Sequence, residues 1–224
     1  MDEVTTLVLV RHARTAYNAC GRFRGHADVP LDDVGIAQAR VLARRISTAW
    51  SVSELFTSPL CRALATADAI GEACHLATIV EPRLIDIDYG SWQGLTEEEA
   101  RTGDAVRYSA WSRAPDRFSI PGGGHVATSA GEARRFVREL AADYPGETVV
   151  VVTHDIICQG LTCRLLDIPL RRLRDLQFQP GSITVFSLSG HSCRLHVMDD
   201  AAHLATLGAN ALGGTDVLAS SGVA

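Results

Sequence analysis

Two stretches of the chain consist almost entirely of branched apolar residues, and each one stops at a histidine. The first is Leu7–Val10, followed by Arg11 and His12, and the second is Thr148–Thr153, followed by His154. Apolar runs without polar alternation are typical of strands that are covered on both faces of a sheet. Because open α/β sheets bind ligands at the carboxyl edge of their strands, both histidines are expected at one ligand-binding edge.

Segments with helical spacing alternate with shorter strand-like segments between these two runs. Asp32 is a predicted N-cap, and apolar residues follow it at helical spacing. Ser58-Pro59 predicts the start of another helix, with Ser at the cap and Pro at the first helical position. This alternation implies parallel strands with helical crossovers, so we expect an α/β fold: a three-layer α/β/α architecture with a mostly parallel central sheet. The other predicted elements are strands at 54–58 and 78–80, helices beginning at Thr96 and spanning 130–144 and 156–166, and a hairpin of 182–188 with 193–197.

The length of the chain fits one domain with an elaborated segment over its ligand site. We expect a single domain at residues 1–205, in which residues 81–125 form a lid or insert over the site. This segment has no clear period and contains a loop-forming Pro-Gly-Gly-Gly at 121–124. Residues 206–224 are small and polar and predict a flexible C-terminal tail.

Composition and charge exclude several classes of partner. The 224 residues include 21 Lys and Arg against 26 Asp and Glu, and the formal net charge of −5 argues against general nucleic-acid binding. No apolar run approaches the length of a membrane span, and the N-terminus lacks the pattern of a signal peptide. The six cysteines form no C-x-x-C pair, which argues against a zinc site. We therefore expect a cytoplasmic protein with reduced thiols that binds neither nucleic acid nor membrane.

Cationic and acidic side chains are predicted to meet the two histidines at the same edge of the sheet. Arg11 ends the first strand, Arg62 lies just beyond the second, and an acid-rich loop carries Asp86 and Asp88. Two imidazoles, two guanidiniums and a carboxyl group suit a phosphoryl group, whose transfer needs positioning and charge neutralisation. A neutral imidazole can attack phosphorus, and a carboxylic acid can protonate the departing oxygen.

Several motifs resemble those of one known family. Arg11-His12-Ala13-Arg14-Thr15 resembles the Arg-His-Gly motif of the histidine phosphatase superfamily, the phosphoglycerate mutase-like proteins, in its phosphatase-type branch. The resemblance extends from about Leu7 to about Leu204, and its further motifs are Asn18, Arg22-Phe23-Arg24-Gly25, Asp28-Val29-Pro30-Leu31, Gly35, Gln38-Ala39, Ser58-Pro59-Leu60-Cys61-Arg62-Ala63, Thr66-Ala67, Asp86-Ile87-Asp88-Tyr89-Gly90-Ser91-Trp92-Gln93-Gly94 and Val152-Thr153-His154.

The resemblance implies a role for each matching residue. His12 would be the nucleophile that becomes phosphohistidine, while Arg11, Arg62 and His154 would hold the phosphoryl oxygens with help from Asn18. The general acid of most members is a Glu four residues before the Gly of the Gly-x-Trp segment, and in this chain that position is Asp86. The reaction would need no metal and no cofactor, because arginine and histidine neutralise the phosphoryl group.

Four positions depart from the family's pattern. Ala13 replaces the usual Gly, Arg24 stands where phosphatase-type members commonly carry Gln, Gly124-His125 stands where many carry Glu-Ser, and Asp155 stands where Gly is frequent. We place Arg24, Tyr89 and His125 among the substrate-binding candidates at the rim. One hypothesis for Arg24 is that it receives a second anionic group of the substrate, and the alternative is that it faces solvent or pairs with Asp28.

The expected function is hydrolysis of a small phosphorylated metabolite through a phosphohistidine intermediate. A phosphoglycerate mutase is the alternative within the family, although the compact Gly-x-Trp segment favours a phosphatase. A catalytically silent protein that binds phosphorylated ligands is the alternative from another class. The identity of the substrate is not specified by these motifs, and a homodimer stays open.

Overall fold

The structure is a computed structural model that describes residues 3–190 and 192–208. Within these residues, one sheet contains six strands in the order β3-β2-β4-β1-β5-β6. The strands are β1 (Thr5–Arg11), β2 (Glu54–Thr57), β3 (Thr78–Val80), β4 (Thr148–Thr153), β5 (Ile183–Ser189) and β6 (Ser192–Asp200). The α-helices are α1 (Ala16–Ala19), α2 (Asp33–Ala49), α3 (Cys61–Cys74), α4 (Glu97–Gly103), α5 (Ala105–Arg113), α6 (Val126–Asp143) and α7 (Asp155–Leu165), and 3-10 helices cover Pro82–Leu84, Gly90–Trp92, Leu170–Asp175 and Ala202–Leu207.

The two apolar runs form neighbouring parallel strands at the centre of the sheet. β1 pairs with β4 in parallel, and Arg11 lies opposite Thr153 at the last position of the register. His12 and His154 therefore leave the two strands at the same level. β2 and β3 continue the parallel part, while β5 and β6 are antiparallel at the opposite edge. The predicted α/β fold with a mostly parallel central sheet is confirmed.

Alternate residues of the central strands contact helices on opposite faces of the sheet, which produces three layers. On one face the strands pack against α2 and α3 through Val8, Val10, Val150, Val152, Leu42, Ile46, Ala67 and Ile70. On the other face they pack against α6 and α7 through Leu7, Leu9, Val149, Val151, Val137, Leu140 and Leu161. Burial of these side chains on both faces explains why the strand sequences show no polar alternation.

A separate apolar cluster is built by the segment between β3 and α6. Its centre is Trp111 of α5, which is fully buried. The Trp111 ring contacts Phe23 at 5.5 Å, Trp92 at 5.5 Å and Tyr89 at 6.1 Å between ring centroids. This cluster holds the predicted lid segment against the loop that follows β1.

Some predicted boundaries differ from the structure. Helix α3 begins at Cys61 instead of Pro59, and its N-cap is Leu60, so the prediction of Ser58 as a cap was wrong. Helix α6 begins at Val126, four residues before the predicted start, because the apolar residues of its first turn pack into the aromatic cluster. The predicted hairpin is confirmed as β5 and β6, and His191, which stands between the two strands in the sequence, lies outside the described residues.

Only the first residues of the predicted C-terminal tail, 206–208, are described by the structure. Residues 206 and 207 belong to the last 3-10 helix, and the remainder of the predicted tail, beyond residue 208, lies outside the described residues. Among the residues described, no helix combines the length and the apolar character required to cross a membrane.

Candidate active site

The two histidines face each other at the carboxyl edge of the sheet. The imidazole centroids of His12 and His154 lie 5.2 Å apart, and both side chains are fully buried. The backbone N–H of His12 donates to the carbonyl oxygen of Thr153 at 2.9 Å, which continues the β1–β4 ladder by one residue. The strand register therefore fixes the distance between the two rings.

The hydrogen bonds of His12 define its tautomer. Nδ1 lies 2.7 Å from the carbonyl oxygen of Ala13, and because that oxygen can only accept, Nδ1 carries the proton. Nε2 is buried and has no hydrogen-bond partner among the described residues. Burial, followed by the positive charge of Arg62, holds the pKa of His12 well below its ordinary value. At neutral pH, His12 therefore presents an unprotonated Nε2 to the site.

His154 is positioned by Ser58, the residue that follows β2. Nε2 of His154 and Oγ of Ser58 share a hydrogen bond of 2.7 Å, while Nδ1 lies 3.9 Å from Oδ2 of Asp86. Burial and the charge of Arg62 hold the pKa of His154 well below its ordinary value. From the sequence, Ser58 was predicted only as a helix cap. Because Ser58 directly follows a predicted strand, its sequence position could also have indicated that it lies at the carboxyl edge of the sheet.

Arg62 joins the loop after β1 to the candidate acid. Its Nη2 donates to the carbonyl oxygen of Gly25 at 2.7 Å and to Oδ2 of Asp86 at 3.1 Å, and its Nη1 donates to the carbonyl oxygen of Ala27 at 3.0 Å. Arg62 lies in the first turn of α3 and is fully buried. These three acceptors hold the guanidinium beside both histidines.

Arg11 is held by Phe178 and Asp155. Its Nη1 donates to the carbonyl oxygen of Phe178 and lies 3.4 Å from Oδ1 of Asp155. Asp155 is the first residue of α7 and is buried. This departure from the family's usual Gly therefore supplies a carboxylate that faces Arg11.

The geometry favours Asp86 over Asp88 as the carboxyl group of the site. Asp86 is buried between Arg62 and His154, and burial raises its pKa although Arg62 and Arg24 oppose the shift. The carboxylate of Asp88 instead accepts from the backbone N–H of Gly90 at 2.7 Å. Because a raised pKa increases the fraction of protonated carboxyl, Asp86 is suited to donate a proton.

His26 is another contact that sequence reasoning missed. Its Nε2 lies 2.9 Å from the backbone oxygen of Asp86, which can only accept, and its Nδ1 lies 3.8 Å from Oδ2 of Asp88. The sequence provided no partner for His26, because these contacts depend on how two loops pack. His26 therefore holds the acid-rich loop against the loop that follows β1.

Asn18 and Ala13 line the start of the loop after β1. The side-chain oxygen of Asn18 accepts from the backbone N–H and the hydroxyl of Thr15, both at 2.9 Å. Since that oxygen serves the cap of α1, the amide nitrogen is the end that can donate to a ligand. Ala13 is fully buried and its N–H donates to Oγ1 of Thr66 at 3.1 Å, so the extra methyl group is accommodated.

The three rim candidates differ in their relation to the histidines. Arg24 is 7% exposed, and its charge lowers the pKa of both histidines, so it does not point into solvent. Tyr89 is buried, and burial together with Asp86 raises its pKa well above the ordinary value. His125 is half-buried at the start of α6, and in the described part of the chain no hydrogen bond, ion pair or ring contact joins it to the histidines.

This arrangement is chemically suited to bind an anion. Cationic arginine side chains and the neutral imidazole of His154 lie around the unprotonated Nε2 of His12, and the buried carboxyl group of Asp86 lies beside them. Across residues 3–190 and 192–208, no group of three or more His, Cys, Asp or Glu side chains is arranged to hold a metal ion.

Comparison with known proteins identifies one family over most of the chain. Residues 7–201 match the model of the histidine phosphatase superfamily (branch 1). Phosphoserine phosphatase 1 of Hydrogenobacter thermophilus is 34% identical over 182 residues, which cover 81% of this chain and 86% of that protein. Metal-independent phosphoserine phosphatase of Arabidopsis thaliana is 30% identical over 209 residues, covering 92% of this chain and 86% of that protein.

A solved structure agrees with these sequence relatives. Mycobacterial glucosyl-3-phosphoglycerate phosphatase, in complex with VO3, superposes with a TM-score of 0.81 and 28% sequence identity, covering 88% of this chain and 99% of that chain. The resemblance that the motifs indicated is thereby confirmed. The chain belongs to branch 1 of the histidine phosphatase superfamily.

Proposed function

We propose that this protein hydrolyses a small phosphorylated metabolite through a phosphohistidine intermediate on His12. The observation that carries the proposal is the state of the His12 ring. Its Nδ1 proton is fixed by the carbonyl oxygen of Ala13, and its Nε2 is buried and accepts no hydrogen bond from the described residues. A neutral imidazole whose lone pair is not engaged in a hydrogen bond is the form that attacks phosphorus.

The proposed reaction has two steps that balance in atoms and protons. In the first, Nε2 of His12 forms a bond to phosphorus, the bond to the leaving oxygen breaks, and Asp86 gives that oxygen a proton. In the second, water attacks phosphorus, the bond to Nε2 breaks, and Asp86 takes a proton from the water. Arg11, Arg62, His154 and Asn18 would bind the phosphoryl oxygens, whose charge must be neutralised during transfer.

The proposed substrate class is taken from the named relatives. Phosphoserine phosphatases and glucosyl-3-phosphoglycerate phosphatase act on phosphomonoesters of small metabolites, and they match this chain over most of its length. Arg24, Tyr89 and His125 are the further proposed substrate-binding residues. Of these, Arg24 and Tyr89 are electrostatically coupled to Asp86, which supports a place at the mouth of the site.

The segment 81–125 is proposed to cover the site as a lid within a single domain. Its acid-rich loop and its glycine-rich loop touch through their backbones: Gly90 has φ of 49°, and a Cβ atom there would lie 2.3 Å from the carbonyl oxygen of Pro121. The N–H of Gly124 donates to the carbonyl oxygen of Asp88 at 2.8 Å. These contacts support a lid that holds the loop of Asp86 in place.

We also propose that the protein is cytoplasmic and that it forms a homodimer. The six cysteines are free thiols, which suits a reducing compartment. A homodimer is proposed on general grounds alone, because two-fold dimers are the commonest closed assemblies of soluble proteins. Analytical ultracentrifugation of the purified protein tests the dimer.

The experiment that tests the function is hydrolysis of p-nitrophenyl phosphate in the presence of a metal chelator. We expect turnover by the unaltered protein, and none after His12→Asn. His75→Asn is the matched control, because His75 is exposed and lies in the left-handed region, which Asn tolerates. Loss of turnover on chelation, with recovery on adding a divalent ion, would contradict the mechanism.

The covalent intermediate is tested by rapid quenching with labelled substrate. An acid-labile, base-stable phosphoryl group on His12 supports the proposal, and a phosphoryl group trapped on another residue opposes it. Phosphoryl transfer between phosphoglycerates, dependent on a bisphosphoglycerate primer, would indicate the mutase alternative. Tight phosphate binding without any turnover would indicate the catalytically silent alternative.

A further inference from the structure

Arg174 is a half-buried arginine that has no role in the proposed reaction. It lies in the 3-10 helix Leu170–Asp175, and its guanidinium carbon stacks 3.9 Å from the ring centroid of Trp111. Its Nη1 donates to Oγ of Ser112 at 3.1 Å. Both contacts come from α5, so one edge and one face of the guanidinium are fixed by the lid segment.

The other edge of this guanidinium has no hydrogen-bond partner in the part of the chain that the structure describes. Nε and Nη2 of Arg174 are buried, and neither has a hydrogen-bond acceptor among the described residues. These two nitrogens form an edge that binds a carboxylate or a phosphate through two parallel hydrogen bonds. Because buried donors of a cation are costly when they make no hydrogen bonds, this edge suits an anion that the described residues do not supply.

Arg174 borders the site on the side of Tyr89. The Trp111 ring on which it stacks also contacts the Tyr89 ring at 6.1 Å. Burial raises the pKa of Tyr89, the charge of Asp86 adds to that shift, and the charge of Arg174 opposes it. Tyr89 is therefore close enough to both Asp86 and Arg174 for their charges to affect its pKa.

The nearby acidic residues indicate which anion suits Arg174. Burial lowers the pKa of Arg174, and the charges of Glu97 and Asp155 oppose that shift, yet neither carboxylate comes within ion-pair distance of Arg174 in the described residues. The carboxyl group of Glu97 instead accepts from the hydroxyl of Tyr108. With two acidic groups already close, a singly charged carboxylate fits this position better than a doubly charged phosphate.

We propose that Arg174 is a specificity-determining residue that binds a carboxylate of the phosphorylated substrate. The proposal rests on the proposed function, since it assumes that the phosphoryl group lies at His12. Arg11, Arg62 and Arg24 surround the histidines, whereas Arg174 stands beyond Tyr89. It is therefore placed for a second group of the same substrate.

The test compares substrates that differ in a carboxylate. The pairs are 3-phosphoglycerate with glycerol 3-phosphate, and phosphoserine with phosphoethanolamine. We expect kcat/KM of the unaltered protein to favour the carboxylate in at least one pair. Arg174→Gln should lower kcat/KM for that carboxylate substrate by about tenfold to a hundredfold, with little change for its partner, because charge-assisted hydrogen bonds are lost.

Arg172→Gln is the matched control on the same helix. Arg172 is exposed and pairs with Asp175 at 2.7 Å, so its loss should leave both members of each pair unchanged. Arg174→Lys should recover part of the discrimination, because it keeps the charge and loses the two-nitrogen edge. Equal losses on both members of a pair, or no preference for a carboxylate in the unaltered protein, would overturn the proposal.

A binding measurement separates this proposal from the proposed function. Calorimetry with the same ligands on the unaltered protein and on folded Arg174→Gln or Arg174→Lys needs no turnover. If no phosphomonoester is hydrolysed but the carboxylate ligand binds more tightly and depends on Arg174, hydrolysis fails and the Arg174 site stands. If hydrolysis is present and neither variant changes the carboxylate preference, hydrolysis stands and the Arg174 site fails.

Discussion

Ser58 and His154 share a buried hydrogen bond of 2.7 Å between Oγ and Nε2, which ties the end of β2 to the end of β4. This bond orients the second imidazole toward the first, and it leaves Nδ1 of His154 on the side of Asp86. The same Oγ accepts from the backbone N–H of Leu60, the N-cap residue of α3, at 3.4 Å, so Ser58 joins the site to the start of that helix.

Removing that hydroxyl should lower turnover more than it weakens substrate binding. We expect Ser58→Ala to reduce kcat on p-nitrophenyl phosphate by about tenfold, since a loss near 1.4 kcal/mol in positioning corresponds to that factor. KM should change little. Ser58→Thr keeps the hydroxyl and should recover most of the rate. A fall in stability with unchanged kcat would show that the bond is structural only.

Asp86 is expected to accelerate hydrolysis more strongly when the departing oxygen is more basic. Asp86→Asn should slow the hydrolysis of alkyl phosphates by about a hundredfold, within the usual range for general acid catalysis. Aryl phosphates should lose much less, because a good leaving group needs little protonation. Asp88→Asn is the control, since its carboxylate bonds to Gly90. Equal losses on both substrate types would remove the acid role from Asp86.

Arg24 is expected to act on the transferred phosphoryl group itself. Its charge is among those that lower the pKa of both His12 and His154, which places it with the groups around the nucleophile. Arg24→Gln should therefore lower kcat/KM alike for 3-phosphoglycerate and glycerol 3-phosphate. A loss confined to 3-phosphoglycerate would instead support the hypothesis, drawn from the sequence, that Arg24 receives the second anion.

The buried histidines should make the protein less stable in mild acid. Because burial lowers the pKa of His12 and His154 below the ordinary value of 6.5, the unfolded chain binds more protons than the folded chain once the pH falls below that value. Between pH 7.5 and pH 5.5 each histidine should cost roughly 1 kcal/mol of unfolding free energy. The raised pKa of Asp86 acts in the opposite direction.

Denaturant unfolding at the two pH values measures this effect. His12→Gln should lose less stability than the unaltered protein over the same interval, because one of the two buried imidazoles is gone. His75→Asn should behave like the unaltered protein, since His75 is exposed. An identical loss in His12→Gln would show that other groups cause the dependence on pH.

The sequence allowed the sheet to be predicted better than the loops that complete the site. β1 and β4 were recognisable because strands buried on both faces must be apolar throughout, and the histidines at their ends followed from that. The start of α6 was not recognisable, because Val126 packs against residues that are distant in sequence. Likewise, the approach of Asp155 to Arg11 and of Arg174 to Trp111 depends on how α7 and α5 pack. No local pattern encodes such contacts.

The neutral state of the two facing imidazoles has a consequence for the heat of ligand binding. A phosphate dianion between them would favour the imidazolium form and raise both pKa values, so the complex should take up protons from the buffer. The observed enthalpy of phosphate binding at neutral pH should then vary with the ionisation enthalpy of the buffer. At pH values well above the raised pKa values, that variation should disappear, and the affinity for phosphate should fall as the pH rises toward that range.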